Sequence, residues 1–153
     1  MKKKSARPQT KSKSAKKSNR PTRTVALKGT VSKAPRKAEL RHMPWKSVTL
    51  EALNPRLGRK LIVGKDIMLA RIFLAKGCIV PKHSHPNEQL TYILQGALKF
   101  WIAGKEIVVR AGEVLTIPPN MPHKAKALEH TDDLDIFTPP RADWMRGTDS
   151  YLR

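Results

Sequence analysis

The stretch that decides the fold is His83-Ser84-His85-Pro86-Asn87-Glu88-Gln89. Side chains two positions apart on an extended segment project from one face, so His83 and His85 can bind one ion together. Gln89 begins the next apolar run and offers an amide oxygen, whereas strand alternation turns Glu88 to the opposite face. Imidazole nitrogens suit divalent transition metals, so this stretch predicts a metal site.

A third histidine, His123, follows the turn Pro118-Pro119-Asn120-Met121-Pro122 and could close the site from another strand. The set would then offer three nitrogens and one oxygen, with room left for substrate or water. An incomplete protein shell is typical of a reactive rather than a structural metal. The alternative is a trio of buried, hydrogen-bonded histidines. His42 and His130 lie outside this pattern and are interpreted as surface residues.

Apolar runs beyond residue 41 are all short enough for strands. They fall at 48–50, 61–63, 67–75, 90–94, 98–102, 107–109, 114–117 and 134–137. Gly and Pro separate them, as turns require, and no run sustains a helical period. Eight or more closely spaced strands predict an all-β sandwich or barrel, and the converging histidines favour a closed barrel with its site inside.

Charge divides the chain into two parts. Residues 1–38 hold 14 of the 31 Lys and Arg residues and none of the 12 acidic ones, so most of the net charge of +19 lies there. This segment has too few apolar residues to offset its ordering entropy. We therefore predict a disordered tail over residues 1–40 and one folded domain over 41–153. The tail could contact polyanions, including nucleic acid, without specificity.

Cys78 is the only cysteine, so no disulfide can form within the chain. We interpret it as a small buried hydrophobic residue rather than a nucleophile. No apolar run approaches the roughly 18–20 residues of a membrane span, and no signal peptide is indicated. We expect a cytoplasmic protein without membrane contact.

Two spaced motifs carry a family resemblance. Gly77-x5-His83-x-His85-x3-Gln89-x6-Gly96 resembles the first motif of the cupin superfamily, with Gln where many members have Glu. Gly112-x5-Pro118 to His123 resembles the second, with Asn120 where the family usually has Gly. The resemblance covers about residues 43–145. It implies a single-domain jelly-roll barrel that commonly forms homodimers. It also implies one divalent transition metal (Zn, Ni, Fe or Mn) on His83, His85, Gln89 and His123.

The stretch from Leu134 to Trp144 is similar to the corresponding part of KdgF-type cupins, which open the ring of 4,5-unsaturated uronates. In that family an Asp, a Phe two residues later and an Arg six residues after the Asp line the pocket. Asp135, Phe137 and Arg141 match this spacing. The resemblance implies that Asp135 and Arg141 are catalytic and that Phe137 and Arg141 bind an anionic sugar.

A surface role for the same residues is the alternative. Asp132, Asp133 and Asp135 could decorate an exposed strand, and Arg141 could pair with Asp143 or Glu129 in solvent.

Three functions compete. The first is a metal-dependent isomerase that opens uronate rings, as in pectin degradation. The others are an Fe- or Ni-dependent dioxygenase and a non-catalytic cupin that binds sugars or anions. One barrel can host all three, so only the site can separate them.

Overall fold

A computed structural model describes residues 40–153. The predicted basic tail lies, except for residue 40, outside the described residues, so its disorder and its polyanion binding remain predictions. No helix within residues 40–153 combines the length and the apolar character that crossing a membrane would need.

Ten short β-strands make up most of the described chain. They are β1 Glu51–Asn54, β2 Leu57–Val63, β3 Met68–Leu74, β4 Ile79–His83, β5 Glu88–Gln95, β6 Ala97–Ile102, β7 Lys105–Arg110, β8 Val114–Ile117, β9 His123–Ala127 and β10 Thr131–Thr138. One short helix, α1, spans Ala142–Arg146, and 3-10 turns lie at Trp45–Ser47 and Ser150–Leu152.

The strands form two antiparallel sheets. Six strands lie in the order β1-β2-β3-β10-β5-β8 and four in the order β4-β9-β6-β7. The inner faces of the two sheets enclose the core, as in a sandwich or barrel of jelly-roll type. The all-β fold predicted from the sequence is confirmed.

Alternation along the strands decides which side chains enter the barrel. In β3 every second residue from Met68 to Leu74 is buried, and β10 follows the same pattern from Thr131 to Phe137. The inward positions of β10 include Asp133 and Asp135, which are only 3% and 6% exposed. The barrel therefore carries polar groups among its apolar core residues.

The C-terminal segment, residues 142–152, packs against the barrel core. Its side chains Trp144 and Leu152 are 7% and 6% exposed and belong to the hydrophobic core. Tyr151 packs against the same core. Neither α1 nor this closure was predicted, because five helical residues are too few to show a helical period.

The predicted strands differ from the observed ones at three places. Residues 48–50 form no strand, and the first strand begins at Glu51, where pairing with β2 starts. No predicted apolar run covers β4 or β9, although the histidine motifs placed His83 on an extended segment and His123 on another strand. The buried positions of these two strands are few and small: in β9 the alternation is between outward Lys and inward Ala, and β4 contains Pro81 and Lys82. Apolar content alone therefore does not reveal them.

Candidate metal centre

The three histidines of the two motifs meet inside the barrel. His83, the last residue of β4, pairs in register with His123, the first residue of β9. The His85 ring follows two residues later, and its centroid lies 5.7 Å from that of His83 and 5.3 Å from that of His123. One ring nitrogen from each histidine lies within 4.8 Å of the other two, so the three could hold a metal ion.

Backbone carbonyls fix the orientation of each imidazole. Nδ1 lies 2.9 Å from the Pro81 oxygen in His83, 3.0 Å from the Asn87 oxygen in His85 and 2.8 Å from the Met121 oxygen in His123. A carbonyl only accepts, so each Nδ1 carries the hydrogen and each Nε2 keeps a free lone pair. Such contacts are typical of histidines that bind metals through Nε2.

All three histidines favour the neutral form that a metal ligand needs. Burial lowers the pKa of His83 to about 4, helped by the neighbouring His123. Burial and the Arg141 guanidinium lower the pKa of His85 to about 4, against hydrogen bonds that favour the charged form. The pKa of His123 is also lowered, first by burial. At neutral pH the rings therefore offer lone pairs rather than positive charge.

Gln89 faces the histidines from the other sheet. It is 5% exposed on β5, while Glu88 is exposed on the opposite face, as strand alternation predicts. The Gln89 Nε2 group donates to Thr91 Oγ1 and to Asp135 Oδ1, both at 2.8 Å. This leaves Oε1 turned toward His85 Nε2, 3.0 Å away. An amide oxygen and an imidazole lone pair that face each other fit a shared cation, so the donor set suits a divalent transition metal.

Asp135 lies directly behind Gln89. Its carboxylate accepts hydrogen bonds from Gln89 Nε2 and from the Thr91 hydroxyl, its cross-strand neighbour on β5. Burial raises the pKa of Asp135 to about 6, although these two hydrogen bonds and Arg141 act in the opposite direction. A carboxyl group that titrates near neutral pH can both accept and release a proton.

Phe137 and Arg141 complete the set predicted from the sequence. The Phe137 ring contacts His85 edge to face, with centroids 5.5 Å apart. Arg141 is 1% exposed and binds Asp143 through two nitrogens, at 2.9 and 2.7 Å. Its Nη2 also donates to the Tyr151 hydroxyl at 2.8 Å. Arg141 Nη1 is buried and has no hydrogen-bond partner among the described residues.

The surface alternative is wrong for most of these side chains. Asp133 and Asp135 are buried, and only Asp132 faces outward, where it pairs with Arg71. Arg141 does pair with Asp143, but the Arg141 side chain is buried and only its partner Asp143 is partly exposed. His42 and His130 are exposed and Cys78 is buried, as predicted.

One cavity of about 50 Å³ unites the site. Its walls include His83, Gln89, His123 and the trio Asp135, Phe137 and Arg141. The C-terminal segment closes it with Trp144, Tyr151 and Leu152. His85 does not line the cavity but contacts Gln89, which does. The structure thus brings together all seven site residues predicted from the sequence.

Four residues around the cavity were missed by the sequence analysis. Thr91 lies two residues after Gln89, so alternation could have placed it on the same face. Arg59 occupies an inward position two residues after Leu57 on β2, which is a weaker signal because charged residues are rarely buried. Trp144 and Tyr151 depend on the C-terminal closure, which nothing in the sequence indicated.

The comparisons with known proteins agree with this geometry. The family model described as a cupin domain matches residues 70–137, which include both histidine motifs. The chain contains a cupin domain. No curated protein sequence matches it.

The fold of this chain is also similar to that of several solved structures. KdgF from Halomonas sp. superposes with a TM-score of 0.60 at 26% identity, over 63% of this chain and 90% of that one. An RmlC-like cupin from Shewanella frigidimarina gives a TM-score of 0.65 at 23% identity, over 70% and 97% of the two chains. A predicted oxalate decarboxylase from Thermotoga maritima gives 0.58 at 21% identity, over 65% and 100%. The last two likenesses show the fold alone.

Proposed function

We propose that this cupin is a metal-dependent enzyme that opens the ring of 4,5-unsaturated uronates, as the resemblance to KdgF-type cupins implies. The observation that carries the proposal is the hydrogen bond of 2.8 Å between Gln89 Nε2 and Asp135 Oδ1. Through Gln89, a carboxyl group suited to proton transfer is joined to a cluster suited to a metal ion.

The ligands in this proposal are His83, His85, His123 and Gln89. All four are neutral, so they leave the full charge of a divalent ion facing the cavity. When bound, such an ion supplies Lewis-acid polarisation of substrate oxygens. Gln89 in place of the more usual Glu favours this chemistry with an anionic substrate.

Asp135 is the proposed proton carrier. Its carboxylate accepts the proton of the anomeric hydroxyl, the bond between the anomeric carbon and the ring oxygen breaks, and an aldehyde forms. The same proton then returns to the distal carbon of the former double bond, which leaves a ketone where the enol ether stood. The reaction is an isomerisation and consumes no oxidant. The pKa of about 6 that burial gives Asp135 supports both proton transfers.

Arg141 and Phe137 are the proposed substrate contacts. The Nη1 group of Arg141 is a buried donor without a partner among residues 40–153, so a substrate carboxylate could satisfy it. The bonds from Arg141 to Asp143 and Tyr151 hold the guanidinium in place for that contact. Phe137 offers an apolar wall beside His85.

The size of the cavity limits which substrates can bind without a change in the structure. A volume of about 50 Å³ holds a few water molecules, because one water needs about 10–15 Å³ on this measure. A six-carbon sugar is larger, so the proposal requires the C-terminal segment to move when a uronate binds. The same volume favours a second candidate, which is a metal-dependent reaction on a smaller carboxylic acid.

Anaerobic turnover distinguishes the proposal from its rivals. Zn²⁺-loaded protein is incubated with an unsaturated uronate without oxygen, and the absorbance of the double bond is followed. We expect the absorbance to fall, and to stay constant with chelator-treated protein. Strict dependence on oxygen would instead indicate a dioxygenase, and no conversion in either atmosphere would indicate a binding protein or a different acid.

A further inference from the structure

Three buried polar atoms within residues 40–153 lack a hydrogen-bond partner, and their residues share one cavity. The atoms are Arg59 Nη2, Asp133 Oδ1 and Arg141 Nη1. All three residues line the cavity beside the histidines. A buried polar group without a hydrogen-bond partner destabilises a protein, so three such groups around one space favour a polar ligand that pairs with them.

Strand register places two of these three residues in one row across the sheet. Arg59 on β2 pairs with Ile72 on β3, and Ile72 pairs with Asp133 on β10. Alternation turns all three of these side chains inward, so Arg59 and Asp133 flank Ile72 in one row across the sheet.

Trp144 links the two arginines. The guanidinium carbon of Arg59 lies 4.6 Å from the centroid of the Trp144 ring, and that of Arg141 lies 4.7 Å from it. The two guanidinium groups are therefore no further apart than the sum of these distances. Both arginines also line the same cavity.

Each arginine is held by other bonds, so its free nitrogen is fixed rather than mobile. Arg59 donates through Nε to Glu51 and through Nη1 to Asp149, while Arg141 is held by Asp143 and Tyr151. These contacts leave one N–H-bearing nitrogen of each fork for a ligand. Burial raises the pKa of Asp133 well above its usual range, with Asp135 adding to the shift, so its carboxyl group can donate a hydrogen bond as well.

We propose that Arg59, Arg141 and Asp133 form a carboxylate-binding subsite at the wall of the cavity that also receives the histidines. A carboxylate offers two oxygens in one plane with about four lone-pair directions, which suits several donors that line one space. The three heavy atoms of a carboxylate group also fit the cavity of about 50 Å³, which holds a few water molecules. A role of this subsite in turnover rests on the proposed function. Binding of a carboxylate at the subsite does not depend on that function.

Labelled formate is the probe, because it is a carboxylate and nothing more. ¹³C-formate is titrated against full-length protein, both Zn²⁺-loaded and chelator-treated, and binding is read from the NMR linewidth, with ¹³C-formamide as the neutral counterpart. We expect formate to bind both forms of the protein and formamide to bind neither. Failure of formate to bind the chelator-treated protein would overturn the subsite.

Substitutions then assign the binding to these residues. Arg59→Lys keeps a cation for Asp149 but removes the free guanidinium donor, so formate affinity should fall by about ten-fold or more. Arg71→Lys is the matched control, because Arg71 pairs with Asp132 on the outer face, and it should leave the affinity unchanged. If Arg59→Lys does not fold by circular dichroism, Asp133→Leu carries the same expectation. Unchanged affinity in the folded variant would overturn the subsite.

The two proposals fail in different ways. Asp135→Asn should slow ring opening by about 10²–10⁴-fold and keep formate binding. Formate binding without ring opening by the wild type contradicts the proposed function alone, whereas ring opening without formate binding contradicts the subsite alone.

Discussion

Gln89 Nε2 donates a hydrogen bond of 2.8 Å to Asp135 Oδ1, while Gln89 Oε1 lies 3.0 Å from His85 Nε2. One amide therefore touches both the histidine cluster and the buried carboxyl group. While the Asp135 carboxylate is ionised, only the amide nitrogen of Gln89 can donate to it, which fixes the orientation of the amide. Gln89 therefore contributes both to the proposed set of metal ligands and to the environment of the Asp135 carboxyl group.

Replacing Gln89 by Glu tests this double role. The hydrogen bond from Gln89 lowers the pKa of Asp135 from a value that burial has raised, so its loss and the added negative charge should raise that pKa above about 6. The acidic limb of the kcat/KM profile should move to higher pH, while zinc binding is retained by the carboxylate. An unshifted limb in the metallated variant would contradict the role of Gln89.

Metal binding should depend on the histidines that meet between β4 and β9. In His83→Ala/His123→Ala two of the three nitrogens are lost, so zinc affinity should fall by more than about 100-fold. His130→Ala is the matched control, because His130 is exposed, and it should bind zinc as the wild type does. Equilibrium dialysis with metal analysis measures both, and full occupancy of the double variant would refute the site.

Acid stability should depend on Asp149, which pairs with Arg59 inside the protein. Burial raises the pKa of Asp149, but hydrogen bonds from Arg153 and Arg59 outweigh it and hold the pKa below its ordinary value. A depressed folded-state pKa stabilises the protein above the unfolded-state value of roughly 4, and this contribution is lost as the pH falls further.

The comparison of Asp149→Asn with the wild type isolates that contribution. At pH 7 the variant should be less stable by about 1–3 kcal/mol, because Arg59 loses its buried carboxylate partner but keeps Glu51. The difference in free energy of unfolding should shrink below about pH 4. Asp132→Asn, at the part-exposed pair with Arg71, should cost only about 1 kcal/mol or less. Urea titrations at several pH values give these numbers, and a difference that is constant with pH would count against the argument.

The contribution of the C-terminal segment to stability can be measured at Trp144. Trp144→Ala removes a buried ring that contacts Phe137 and both cavity arginines, so it should lower the free energy of unfolding by about 3–5 kcal/mol. Met145→Ala, at a 52% exposed position of the same helix, should change it by no more than about 0.5 kcal/mol. Equal losses in the two variants would show that Trp144 does not close the barrel.

The sequence predicts the barrel because short apolar runs, separated by Gly and Pro, recur along the chain. Along β10 it also predicts that Asp135 and Phe137 share a face, and the structure bears this out. Asn120, at the position where the resemblance expects glycine, has a φ of 61°, a conformation that Asn tolerates better than most residues. Its backbone N–H donates to the His85 oxygen, so the departure from the motif preserves the turn.

What the sequence could not predict depends on distant contacts. The burial of Arg59 requires Asp149 and Glu51, and Asp149 lies 90 residues away along the chain. Tyr151 stacks on His83 with ring centroids 4.6 Å apart, although only a 3-10 turn presents it. No local pattern encodes such pairings, because they arise from how the C-terminal segment packs.

The most direct test of the proposed function is anaerobic turnover by Asp135→Asn. The substitution removes the proton acceptor but keeps the shape of the side chain, so the variant should fold and bind zinc as the wild type does. Its rate of opening an unsaturated uronate, read from the loss of double-bond absorbance, should fall by about 10²–10⁴-fold. A metallated Asp135→Asn variant that opens the ring at the wild-type rate would contradict the account.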